Sequence, residues 1–329
     1  MLIVNHRVTL GATTYRSAAH SRLVGLRTQA ALSTPVNSAW IALAPAAGVS
    51  VAPGDAVSVE LGYGDDLKTL FTGTVETVDW GIEQVAFRAA GAARALVNAR
   101  FNRFFEKSKA GDIVANVAGL LDVATGSVEP GLEFQAYAFS DGVTTWDGLR
   151  QLAERCGFDL YADVKDQLVF AKYTPAKTHP FQFGVNVLSL RVDRPAETIT
   201  GAEVYGESPS SFGQGQEAYS WLTKKDVKGT AGGIGGSGGN GGIIARRFDP
   251  AVRTEEDAGR VAQAVLAALS ARRACTLKAL GAPAVRLGDA VEISRMPQAD
   301  QNGTFKVIAV SHRLDVKTGF SSIIDGLDV

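Results

Sequence analysis

Two adjacent acid pairs, Asp65-Asp66 and Glu255-Glu256, are the residues best suited by type to general acid and base chemistry. Glycoside cleavage needs two carboxylates held across a cleft. Neighbours in sequence point different ways from a turn or a helix, so neither pair supplies that geometry alone. Glu255 and Glu256 also open a predicted helix, where the positive end of the dipole accounts for acids. The histidines His6, His20, His179 and His312 and the cysteines Cys156 and Cys275 lack metal-ligand spacing. No Gly-x-Ser-x-Gly, His-Glu-x-x-His or catalytic-cysteine context occurs. The glycine-rich run Gly229–Gly242 is followed by Ile243-Ile244-Ala245-Arg246-Arg247. A phosphate loop needs a lysine and a hydroxyl residue there, so the run reads as a flexible surface loop. These residues imply no catalytic, cofactor or metal site, and a non-enzymatic chain.

The 329 residues are 46% hydrophobic and 20% charged, ordinary globular values that exclude a largely disordered chain. A formal net charge of −1 excludes the basic footprint of a nucleic-acid binder. The start, Met1–Val8, reads as a first strand rather than a signal peptide. No apolar run reaches the roughly 18 residues of a membrane span. Synthesis in the cytosol, without membrane anchoring, is the expectation.

Strands are predicted at Ala56–Leu61, Leu70–Trp80 and Gln84–Ala90 from period-2 alternation and β-favouring residues. Helical spacing of apolar residues predicts helices over Lys109–Leu121 and Thr144–Cys156, the second capped by Thr144 or Thr145 and stopped by Gly157. Phe158–Asp163 and Gln167–Lys172 read as a hairpin. A helix from Thr254 to Arg272 buries Val261, Val265, Leu266 and Leu269, with Thr254 as cap. The last fifty residues return to strands. Cys156 reads as a buried thiol, and Trp40, Trp80, Trp146 and Trp221 as core residues.

One internal similarity organises these elements. Val51-Ala-Pro-Gly54-Asp55-Ala-Val57-Ser-Val59 matches Val285-Arg-Leu-Gly288-Asp289-Ala-Val291-Glu-Ile293. Each copy precedes a strand opening Gly-Thr, at Gly73 and at Gly303, and then a third strand, Val85–Ala89 or Phe320–Ile324. Gly-Asp before a strand is also common turn chemistry. The run of nine positions and the shared strand order favour duplication. Gly54, Asp55, Val57, Gly73, Gly288, Asp289, Val291 and Gly303 define the repeat.

The chain resembles the phage late-control D family, which includes contractile-tail baseplate hubs and the N-terminal hub part of type VI secretion spike proteins. Gly54–Tyr63 and Leu70–Val75 resemble that family's first barrel, and Leu287–Ile293, Gly303–Val307, His312 and Gly319-Phe320 its second. Lys107–Val114, Thr145–Gly157 and Phe158–Tyr161 resemble its central helices and the strand after them. The resemblance implies an α+β, mainly β fold: two similar tail-tube-like β-barrel domains flanking a mixed α+β region. The expected division is 1–95, the first barrel; 96–200, the mixed hub region; 201–250, a strand with the flexible loop 229–242; and 251–329, a helix with the second barrel. It further implies a homotrimer that adapts a sixfold tail tube to a threefold central spike. The mixed region, roughly residues 95–200, would supply trimer contacts and grip the spike. Expected partners are the tail tube protein, a separate central spike protein, other baseplate proteins and a tape measure, with no sequence-specific nucleic acid. The protein would be assembled into a virion tail or injection particle. The alternatives are a tail-tip or receptor-binding protein of a non-contractile tail, and a tail-associated cell-wall hydrolase.

Overall fold

A computed structural model describes residues 3–17, 21–45, 50–196, 199–207, 227–233, 243–270 and 272–329. The first part of the chain gives β1 (Val4–Leu10), β2 (Thr13–Arg16), β3 (Leu23–Ala31), β4 (Ser38–Leu43), β5 (Ala56–Tyr63), β6 (Asp66–Trp80) and β7 (Val85–Ala90). A mixed stretch follows: α1 (Arg94–Asn98), β8 (Arg103–Lys109), α2 (Ala110–Leu120), β9 (Thr125–Val128), β10 (Glu133–Phe139), α3 (Thr145–Cys156), β11 (Asp159–Ala162) and β12 (Leu168–Ala171). Then come β13 (Thr178–Gln182), β14 (Val187–Asp193), β15 (Ile199–Tyr205), β16 (Lys228–Gly232), β17 (Ile243–Phe248) and α4 (Glu255–Leu269). The chain finishes with β18 (Ala274–Leu280), β19 (Ala290–Ser294), β20 (Gly303–Asp315) and β21 (Gly319–Asp328).

Alternating apolar residues give strands such as β5 and β18 one buried face. Thirteen strands join in one sheet, ordered β14-β18-β21-β20-β3-β4-β7-β6-β5-β1-β2, with β19 on β20 and β13 on β19. Two separate cores lie along it. One is built from residues such as Leu26, Ile41, Val59, Phe71 and Phe87. The other is built from Leu277, Val291, Ile293, Phe305, Val307 and Ile324. The sequence predicts two barrel domains. The described strands instead form two lobes of one continuous sheet, open at β14 and at β2, because β3 of the first lobe pairs with β20 of the second.

A third core holds the mixed layer, which two stretches of chain build together. Residues 94–171 leave the sheet after β7, and residues 199–270 leave it between β14 and β18. Ile113, Val117, Leu149 and Leu152 of the first meet Ala202, Val204, Val261 and Ala262 of the second. The sequence places α4 with the C-terminal strands, but the helix packs in this middle core. Thr144 Oγ1 accepts from Asp147 N–H at 3.1 Å, and Gly157, at φ +66°, stops α3 as predicted. Thr254 caps α4 in the same way, its Oγ1 accepting from Asp257 N–H at 3.1 Å. That helix ends at Leu269 rather than Arg272. Ser270 turns extended, and Arg272 reaches back to donate to the Ala267 carbonyl at 2.8 Å. Leu269 is exposed as a result.

The predicted loop Gly229–Gly242 divides. Lys228–Gly232 is strand β16, and Gly229 lies so close to α4 that an added Cβ would stand 2.0 Å from the Ala258 carbonyl carbon. Glycine there serves close backbone approach rather than flexibility. Residues 234–242 lie outside the described residues.

A buried ion pair ties the two stretches. Arg155, at the end of α3, grips Asp249 through Nε at 2.8 Å and Nη2 at 3.2 Å, and Arg247 adds a third contact at 3.1 Å. Asp249 is fully buried and Arg155 nearly so. Removing one partner of such a pair leaves an uncompensated buried charge. Asp249→Ala is therefore expected to lower unfolding stability by about 3 kcal/mol, read as a lower urea midpoint at unchanged slope.

Candidate assembly interface

The repeat begins as one turn built twice. Gly54 and Gly288 adopt φ of +97° and +83°, a region that favours glycine. Asp55 Oδ2 accepts from Ala52 N–H at 2.9 Å, and Asp289 Oδ2 from Arg286 N–H at 3.1 Å. The Asp55 carbonyl accepts from Val75 N–H at 2.8 Å, and the Asp289 carbonyl from Val307 N–H at 2.9 Å. Val57 and Val291 then enter their respective cores. Asp289 also holds His179 Nε2 at 2.8 Å, and Gly288 lies against the Tyr161 hydroxyl.

From there the register runs in parallel through five strands, β3-β4-β7-β6-β5 in the first lobe and β14-β18-β21-β20-β19 in the second. Ala56 pairs with Thr74, and Ala290 with Lys306. The register slips between Val75 and Thr77 against β7, and between Val307 and Ala309 against β21. A second shared slip lies between Leu23 and Gly25 in β3, and between Val187 and Ser189 in β14. Both are β-bulges at matching places. The Gly-Thr match in the sequence does not belong to this correspondence. Gly73 pairs with Val57, whereas Gly303 pairs with Ile293; Phe305, paired with Val291, is the counterpart of Gly73.

The two lobes meet along β20. Its Gly303–Lys306 half pairs with β19, and its Ala309–Asp315 half pairs with β3. His312 lies opposite Thr28, both only 3% exposed. Side chains cross the seam in both directions. Leu314 and Phe320 pack into the first core, and Ala30 and Leu32 into the second. Burial pushes His312 down to about 4, and its Nδ1 lies 2.9 Å from Ser322 Oγ.

The matching stretches elsewhere have no such partner. Among the described residues, the edge of β6 beyond Val75 is unpaired on the side that β5 occupies before it, and β14 is paired only with β18. Trp80 matches His312 by register yet is 61% exposed, which corrects its assignment to the core. Ile82 follows at 98%, and Leu188 on β14 is 52% exposed. Trp146 is buried in the middle core and Trp40 is half-buried on the sheet. Trp221 lies outside the described residues.

The remaining candidate groups are dispersed. Asp65 and Asp66 sit at the β5–β6 turn, and Glu255 and Glu256 open α4, so the two acid pairs belong to different layers. His6 contacts Ser17 and Ser21 through its two ring nitrogens, and His20 lies outside the described residues. Burial raises Cys156 to about 11 and Cys275 to about 12; Cys156 is half-buried and Cys275 buried. Among the described residues, no three His, Cys, Asp or Glu side chains cluster as an ion site would require.

This architecture is that of phage tail proteins and of components of type VI secretion machines. The 43 kDa tail protein of prophage MuSo2 from Shewanella oneidensis superposes with a TM-score of 0.68 at 12% identity, covering 98% of each chain. The tail protein from Neisseria meningitidis MC58 gives 0.69 at 12% identity, covering 99% of this chain and 96% of that one. The E. coli c3393 protein is a component of the type VI secretion system, similar in structure to T4 bacteriophage tail proteins gp27 and gp5. It gives 0.60 at 8% identity over 98% of this chain and 76% of that one. No protein-family profile and no curated protein sequence matches the chain.

Two outcomes follow from the repeat and its seam. Gly54→Ala is expected to cost about 1 kcal/mol through its backbone conformation. Gly288→Ala should cost more, because its Cβ would also stand 2.5 Å from the Tyr161 hydroxyl; paired denaturation curves compare them. His312 stays neutral when folded but protonates near 6.5 when unfolded. The contribution of His312 to stability is therefore complete above about pH 6.5 and falls as pH drops towards about 4. His312→Gln should flatten the plot of Tm against pH in that window, leaving the slope of His6, which burial lowers too.

Proposed function

We propose that the chain is a non-enzymatic structural hub of a phage tail or related injection machine. It works as a homotrimer between a sixfold tail tube and a threefold central spike. The observation that carries this reading is the five-strand unit occurring twice with both bulges in matching places. Three chains around an axis then present six near-equivalent lobes, and closed rotational symmetry is the common way oligomers grow. The shared fold of tail and type VI secretion proteins supports the same reading.

In this arrangement each lobe is a tube-like barrel, completed by strands from its neighbours, and the ring of lobes abuts the last ring of the tube. The mixed layer, held together by Arg155 and Asp249, faces a separate spike protein and other baseplate components. The protein is made in the bacterial cytoplasm and built into the particle there. Light scattering tests the assembly directly. The chain is 34.6 kDa, so three copies weigh about 104 kDa. A trimer that forms a six-lobed ring in electron micrographs is the expected result. A chain that stays monomeric even with tube and spike proteins present overturns the reading.

A further inference from the structure

We infer that the cavity where the two lobes meet the mixed layer binds a small polyvalent oxyanion, a phosphate or a carboxylate, with Arg286 as its main contact.

The cavity holds about 350 Å³, at the small end of the range for ligand pockets. It is lined from three directions. Thr28 and Lys68 come from the first lobe, Arg286 and His312 from the second, and Asp163 from the turn after β11.

Comparison of the two copies of the repeat singles out Arg286. The turn Val51–Asp55 carries Ala52 where Val285–Asp289 carries Arg286. In both copies the aspartate carboxylate takes only the backbone N–H at that position. The turn has no use for the guanidinium, and alanine serves it equally well. Arg286 is half-buried, yet among the described residues its guanidinium makes no hydrogen bond and no ion pair. Its charge stays close to the cavity floor: burial lowers His312 most, and the Arg286 charge lowers it further. A half-buried cation without a counter-charge has lost hydration with no interaction in return, the electrostatic setting that attracts an anion.

Other groups on the wall suit the same ligand. Lys177 is fixed through its carbonyl, which accepts from Ala290 N–H at 2.8 Å, and its ammonium is unpaired among the described residues. Lys68 adds a third cation, shared with Asp66. Thr28 is buried, and its hydroxyl has no hydrogen-bond partner among the described residues. A buried hydroxyl without a partner is costly, and an oxyanion accepts its proton in a hydrogen bond. The two carboxylates on the wall are already engaged. Asp163 Oδ1 accepts from the Lys165 and Gln167 N–H groups, and Asp289 holds His179 and the Arg286 N–H.

Calorimetric titration of the full chain with inorganic phosphate, and separately with citrate, tests the site, with sodium chloride at matched ionic strength as reference. Saturable binding is expected, with a rise in Tm that follows the same binding curve. The tighter of the two anions names the ligand class. Arg286→Ala copies the residue of the first-lobe turn, so it should keep its circular dichroism while binding weakens about tenfold or more. Thr28→Val, which removes only the hydroxyl, should weaken binding by a smaller factor. A Tm rise that never saturates and is equal in wild type and Arg286→Ala is the general exclusion effect of such salts, and it overturns the site. Saturable binding that survives Arg286→Ala puts the anion elsewhere and overturns it too. Neither heat nor a Tm shift with either anion does the same. The cavity lies within one chain, so each of these failures leaves the hub reading standing.

Discussion

A strand edge can ordinarily serve one neighbour, and β20 must serve two. Its first four residues pair with β19 and its last seven with β3, with Val307 and Ile308 between them. The bulge at that point makes the change of partner possible, since an extra residue bends the strand and raises its local twist. The first partner keeps the second core closed. The second joins the lobes and brings Leu314 and Phe320 into the first core. The same bulge in β6 shows that this provision belongs to the repeated unit and not to one copy of it.

The repeated unit is elaborated differently in its two occurrences. β3 returns to β4 through the short turn at residues 32–37, whereas β14 reaches β18 only after β15, β16, β17 and α4. The mixed layer is therefore hung from the sheet at two places, after β7 and inside the second lobe. Asp249 and Arg155 belong to different excursions, so their ion pair adds a polar tie to the apolar core the two share. The hairpin β11–β12 docks that layer on the sheet. Asn37 Nδ2 donates to the Ala162 carbonyl at 2.8 Å, and Thr72 Oγ1 to that of Val164 at 3.0 Å.

Where a local rule decides the outcome, the sequence was readable. Thr144, Gly157 and Thr254 mark helix ends through their own side chains or φ values, and β5, β6 and β7 follow the alternation of Val57, Val59 and Leu61 and their neighbours. Gly54-Asp55 and Gly288-Asp289 announced the duplicated turn because both residues act on their own backbone. What was hidden depends on distant partners. Gly229 looks like loop composition until α4 is placed against it. The Gly-Thr at 73 and 303 looked equivalent because bulges and unequal hairpins shift register without leaving a residue signature. Trp80 reads as core by type, and only strand order shows that its side of the sheet lacks a neighbour. The joining of both lobes into one sheet could not be seen from periodicity at all.

That joining also sets an order of events for the growing chain. Thr28 and His312 are opposite each other across the seam but 284 residues apart in sequence. On the ribosome, β3 emerges early and waits with one edge bare until β20 has been made. Loop closure over such a span is slow, and bare strand edges on waiting chains invite pairing between nascent molecules. The strand that seals the first lobe is thus made long after the lobe's other strands, and a chain truncated before β20 leaves the edge of β3 exposed beside an apolar core.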